Sequence, residues 1–347
     1  MAANSRKSQL LMAGIGLGLL TAGAMAQTAY FPPSMRLDAS NRIAIGNGVL
    51  SAVILPPGEK AFYNGTRFDQ SGVVASLKYG AQEYYGPWFD FIRPDVRDLT
   101  IAPEGVMVGD NSGTIGPAEE YTPIGYDEAA PGGRFLQVGV GVVTRPDDRP
   151  FDRFRLYPIA DKGRWRTTST PTSVTSEHAV RHGDYGYVYE KTISLVPGRP
   201  QMTITHALRN TGRKPIVSSM YNHNFLTIDP GNANMVVTLS FPATAAKPPQ
   251  RLALEGNSVR WLGPLVERES ASVLLHDESK PPQPYDVKVE NGKTGAGFRV
   301  TGDAPIIRFN LWSIRTVMAV EPYNAVNVAP GAQQRWSYTY TFMPPRP

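Results

Sequence analysis

Apolar residues in this chain recur every second position far more often than every third or fourth, and that periodicity confines it to strands whose two faces meet different surroundings. Tyr185, Tyr187, Tyr189, Ile193 and Leu195 fall on one face of an extended segment, and Met202, Ile204, His206 and Leu208 do so on the next, with Pro197 and Gly198 as the turn between them. The last segment repeats the pattern: Trp336, Tyr338, Tyr340 and Phe342 alternate with Arg335, Ser337, Thr339 and Thr341. With 33 Gly and 31 Pro breaking the sequence, helices of ordinary length have little room. Many short strands joined by turn residues predict an all-β sandwich or barrel.

Further strands are expected over roughly 43–47, 50–55, 73–79, 135–143, 163–169, 216–226, 235–240, 259–262, 272–276, 285–290, 297–301 and 306–312. Between 93 and 134 strand pattern is weak, and the acidic pairs Glu119–Glu120 and Asp127–Glu128 fall there. A loop of about forty residues in a compact domain is usually functional, so this one is expected to wall or cover a site.

Residues 1–26 read as a cleaved secretory signal: Arg6 and Lys7, an apolar run from Leu10 to Ala24, then Ala24-Met25-Ala26 before Gln27. The run is short and rich in Gly and Ala, against the ~18 unbroken apolar residues of a spanning helix. The mature chain, 27–347, is expected to be periplasmic or secreted, one domain, and free of the membrane. It has no cysteine, so its stability must come from a hydrophobic core, which about 320 residues can build. Removing Arg6 and Lys7 lowers the formal charge from +5 to +3, with no Lys/Arg cluster, which argues against a nucleic-acid partner. Neither Cys/His zinc spacing nor a P-loop is present, and no metal or cofactor is expected.

Near the C-terminus, Val320-Glu321-Pro322 is followed by Pro330-Gly331 and the final strand. Glu321 is expected where a strand gives out, a rim position at which sites are commonly built, and is the first candidate for a catalytic base. It could equally pair with an arginine at the surface. His223 is a candidate acid with a buried core histidine as the rival reading; His206, on an apolar face, reads as a core residue, and His178, His182 and His276 as solvated. Trp88 and Tyr85 flank Gly86-Pro87, where a flat ring can stack on a ligand or pack in the core.

Five blocks carry a resemblance: Gly65-Thr66-Arg67-Phe68-Asp69, Tyr84-Tyr85-Gly86-Pro87-Trp88, Asn210-Thr211-Gly212, Tyr221-Asn222-His223-Asn224-Phe225, and Val320-Glu321-Pro322 with Pro330-Gly331. Their order over residues 48–343 resembles the aldose 1-epimerase (galactose mutarotase-like) superfamily. The resemblance implies a β-supersandwich of two large antiparallel sheets with a sugar cleft on a concave face. It implies His223 as the acid at the sugar ring oxygen, Glu321 as the base at the anomeric hydroxyl, and Arg67 as a sugar contact; Gln82, Trp88, Asn222 and Asn224 are further candidate carbohydrate contacts. Where the family carries a second histidine this chain has Gln82, which can hydrogen-bond a hydroxyl but cannot hold a proton charge. The family's sugar-binding aspartate has only Asp229 and Asp286 as positional candidates.

Such chemistry is self-consistent, because opening a hemiacetal needs a base at the C1 hydroxyl and an acid at the ring oxygen. The implied activity is interconversion of the anomers of an aldose or of an oligosaccharide's reducing end. A carbohydrate-binding protein without turnover, or a glycan lyase or hydrolase on the same scaffold, remain alternatives.

Overall fold

In a computed structural model, residues 41–347 are described except 59, 60, 94, 110 and 112. The expected signal at 1–26 and the start of the mature chain lie outside the described residues. Those described contain strands and no helix.

Alternation builds the two principal sheets. The larger has ten strands in the spatial order Arg164–Thr170, Ser173–His182, Tyr185–Leu195, Gln201–Asn210, Gln333–Met343, Gly297–Gly302, Asp286–Asn291, Met235–Leu239, Ser258–Trp261 and Leu252–Glu255. The final strand thus inserts at its centre, with Trp336, Tyr338, Tyr340 and Phe342 all buried, as the sequence predicts. The smaller sheet has five strands in the order Ser270–His276, Arg308–Ile314, Val317–Val328, Ile216–Phe225 and Gly116–Tyr121. Every pairing in both is antiparallel. The sheets stack face to face over the main core, and polar contacts cross between them: the Tyr340 hydroxyl donates to Asn224 Oδ1 at 2.8 Å, and Trp261 Nε1 donates to Ser313 Oγ at 3.0 Å.

Four expectations change. Val317–Val328 runs unbroken for 12 residues, and Glu321 sits inside it rather than at its end. The 93–134 region is not one loop: it holds Leu99–Ala102, Gly105–Val108 and Gly116–Tyr121, the last an outer strand of the five-stranded sheet with every residue buried. The expected strand over 135–143 is a hairpin, Arg134–Gln137 with Gly141–Thr144. Gly139 has φ +74° in its turn, and any Cβ there would meet Asp69 Oδ1 at 2.1 Å. Ser173–His182 escapes the sequence reading because its inward positions include Ser176 and His178, so apolar alternation is interrupted.

Candidate active site

The outer face of the five-stranded sheet carries a cleft of about 440 Å³ lined by Arg67, Trp88, Arg153, His223, Trp312 and Glu321, among others. Strand register explains the convergence. Tyr221 lies opposite Glu120 on one side and Tyr323 on the other, and His223 and Glu321 follow two residues on along each strand, so they share the face. Asn310 lies opposite Glu321 on the next strand, and Leu274 opposite Asn310.

The ladder between Ile216–Phe225 and Val317–Val328 ends at Tyr221 and Tyr323, and the next residue along the second strand is Pro322, which has no N–H to donate. Beyond that point the imidazole and the carboxyl face one another. His223 Nε2 lies 3.4 Å from Glu321 Oε1, with both side chains at least nine-tenths buried. Asn310 Nδ2 donates to Glu321 Oε2 at 3.4 Å.

Burial pushes the Glu321 carboxyl up to about 7 against the opposing pull of Arg67 and Asn310. Burial also holds the His223 imidazole well below its ordinary range, and the nearby Arg67 and Arg153 lower it further. Up to about pH 7 these shifts favour one proton on the pair, on the carboxyl rather than the imidazole. A buried carboxyl and imidazole in contact are suited to paired acid and base transfer.

Arg67 reaches the cleft from the Gly65–Asp69 block. Its Nε contacts Glu120 Oε2 at 2.7 Å, Nη2 donates to the Tyr221 hydroxyl at 3.0 Å, and its guanidinium lies over the Phe154 ring at 4.6 Å. Arg153 grips the other oxygen of Glu120, Nε to Oε1 at 3.2 Å. Tyr221 stacks on Tyr323 with ring centroids 4.4 Å apart, and Trp88 stacks on Phe225 at 5.4 Å while lining the cleft.

Of the sequence candidates, the cleft brings together Glu321, His223, Arg67 and Trp88. It does not bring in Gln82, Asn222 or Asn224. Gln82 donates to the carbonyl of Glu83 on a two-residue strand away from the cleft. Asn222 and Asn224 are one residue out of phase with His223, so the pleat turns them inward to bond with Tyr340. Tyr85 is a core residue against Phe342. Asp229 accepts from the Asn234 amide and Asp286 pairs with Arg299, neither of them in the cleft. His178 and His276 are buried rather than solvated, His178 stacked on Trp165 at 3.8 Å.

Arg153, Phe154, Asn310, Trp312 and Tyr323 were not singled out from sequence, and Glu120 was noted only as half of an acidic pair. Period-two phasing from His223 and Glu321 alone would have flagged Tyr221 and Tyr323, whereas Arg153 and Phe154 arrive from a loop with no such signal. Among the described residues no group of three or more His, Asp or Glu side chains is placed to hold a metal.

Below the cleft lies a second polar cluster. Glu119 points into the core, where Lys191 Nζ lies 2.5 Å and His206 Nε2 3.2 Å from its carboxylate, and Lys191 also reaches Asp69 at 3.5 Å. Burial opposes ionisation of Glu119, but Lys191 and His206 outweigh it and hold that carboxyl below the usual range. Burial raises Asp69 despite Lys191. His206 is a core residue, as its apolar face suggested, stacked on Trp336 at 4.9 Å.

No protein-family model matches the chain, and no curated protein matches it. Solved structures do. An aldose 1-epimerase candidate from Escherichia coli K12 superposes with a TM-score of 0.52 at 12% identity, covering 87% of this chain and 99% of that one. The aldose epimerase homologue from C. elegans gives 0.50 at 15% identity, covering 87% and 98%. The fold is galactose mutarotase-like. At these identities the likeness speaks for architecture alone, so the chemistry of the cleft must be argued from its own side chains.

Proposed function

We propose that this protein is an exported carbohydrate-active enzyme of the aldose 1-epimerase kind, interconverting the anomers of a reducing sugar by acid/base ring opening. The observation that carries the reading is the buried His223–Glu321 pair, 3.4 Å apart in a cleft walled by Trp88, Trp312 and Tyr323. A pyranose stacked on these aromatic faces presents its C1 hydroxyl and ring oxygen, both bonded to the same carbon, to the two groups at once. One group takes the C1 hydroxyl proton while the other protonates the ring oxygen, and the C1–O5 bond breaks to give the open aldehyde. After rotation about C1–C2, the reverse transfers close the ring on the opposite face.

With Glu321 as base and His223 as acid, the carboxyl proton must first pass to Nε2, a step their contact permits. Arg67 and Arg153 supply donors for ring hydroxyls, and Asn310 orients the carboxylate. Export rests on the N-terminal signal features, and the mature protein is expected to begin at Gln27.

Carbohydrate binding without turnover is the second reading, favoured by the absence of a second histidine from the cleft residues and by Gln82 lying elsewhere. Two-dimensional exchange NMR on equilibrated glucose, galactose and other aldoses separates the two. Cross-peaks between α and β anomers that strengthen with protein support the enzyme; unchanged exchange with saturable ligand contacts supports the binder.

A further inference from the structure

We propose that a second groove beside the cleft is a subsite for the next unit of a neutral oligosaccharide, so that the preferred ligand is a short chain with its reducing end at His223 and Glu321. This rests on the carbohydrate reading above and names its substrate class. A hollow of about 570 Å³ lies next to the cleft, and Phe154 lines both. The chain alternates between them: Asp98 lines the cleft and its neighbour Arg97 the hollow, while Arg153 lines the cleft and Arg155 the hollow. The two spaces thus adjoin at Phe154.

The lining chemistry selects the ligand. Arg97, Arg149 and Arg155 bring three guanidinium groups to the hollow, yet each is paired with a carboxylate: Arg97 with Asp152, and both Arg149 and Arg155 with Asp147, the latter two at 2.7 and 2.9 Å. Every guanidinium is already engaged, Arg149 and Arg155 sharing one carboxylate, so an anionic ligand would have to compete with Asp147 or Asp152 for it. What the groove offers instead is fixed donors and acceptors beside apolar faces, those of Phe151, Phe154 and the half-exposed Leu156. That mixture suits a neutral ring with hydroxyls on its edge and C–H groups on its faces. A free monosaccharide bound at the His223–Glu321 pair leaves the hollow unused, whereas a disaccharide reaching past Phe154 fills it.

Calorimetric titration of the full-length mature protein with glucose, galactose, mannose and xylose, and with neutral oligosaccharides of two to four units of each, tests this. At least one oligosaccharide is expected to bind about tenfold more tightly than its reducing-end monosaccharide, a difference of ~1.4 kcal/mol. In Arg149→Ala, whose side chain is largely exposed, the ratio of the two affinities is expected to fall toward one. Equal affinities across every pair, an unchanged ratio in Arg149→Ala, or tighter binding of a uronate-bearing chain than of its neutral counterpart would each overturn the proposal. Because binding is read directly, the ratio stands or falls separately from turnover: a tight oligosaccharide without anomer exchange refutes the enzyme and keeps the subsite, and exchange with equal affinities does the reverse.

Discussion

Glu321 and His223 derive their properties from the same burial that brings them together, and the consequences are measurable one residue at a time. In the proposed mechanism the pair works with a single proton, so kcat/KM is expected to fall as pH rises above about 7, where Glu321 loses it. The acid limb lies well below the ordinary histidine range, where His223 takes up a second proton. A pH–rate profile from exchange NMR checks both limbs, and a rate that climbs steadily through pH 8 refutes the assignment. Glu321→Gln or His223→Asn is expected to lower the rate by about 10²- to 10⁴-fold with the fold intact by circular dichroism.

Stability carries a separate signature of the same carboxyl. The folded value of Glu321 lies above its unfolded one, so between about 4.5 and 7 the folded state binds more protons and its stability declines as pH rises through that window. His223 works in the opposite sense: its folded value lies below the unfolded one, so its contribution is present above the unfolded value and lost as pH falls. Glu321→Gln removes the first effect alone. Urea unfolding is expected to show the variant gaining on the parent from pH 5 to pH 8.

At the scale of elements, the Gly116–Tyr121 strand joins cleft and core. Glu120 faces outward to Arg67 and Arg153, and Glu119, one residue back, faces inward to Lys191 and His206. Lys191→Met would leave buried Glu119 with His206 alone and buried Asp69 with neutral donors only, those of Ser71 and Tyr189. A loss of about 3–5 kcal/mol is expected at neutral pH. The loss should shrink in mild acid, because protonating those carboxyls removes the buried charge; denaturation curves at pH 5 and pH 8 decide it. The sequence hid this strand because the acidic pair at 119 and 120 interrupts any apolar alternation, and only the cations facing them from other segments make their burial tolerable. Val317–Val328 was hidden differently: Pro322 reads as a terminator, yet it stands where one neighbouring ladder has already ended.

Across the whole molecule, the ten-stranded sheet was largely legible, since Tyr185–Leu195, Gln201–Asn210 and Gln333–Met343 each present an alternating apolar face. Spatial order was not, because the last strand inserts between Gln201–Asn210 and Gly297–Gly302, and nothing local dictates that neighbour. Glu321, His223, Arg67 and Trp88 were legible through motif resemblance, while Arg153 and Phe154 depend on where a loop folds back. A sugar that fills the cleft is expected to stabilise the entire domain by about 2.7 kcal/mol at a hundred times its dissociation constant, which a thermal-shift series over ligand concentration would register.

Consecutive carboxylates on one strand, the first answering to a lysine in the interior and the second to two arginines lining the cleft, yoke the cleft wall to the packing behind it. Selection for a new ligand that displaced Arg67 or Arg153 would pull on Glu120, and through one peptide bond on the ion cluster beneath. Changes in ligand preference in this scaffold should therefore come more readily from the outlying Arg149 and Leu156 than from the residues around His223 and Glu321.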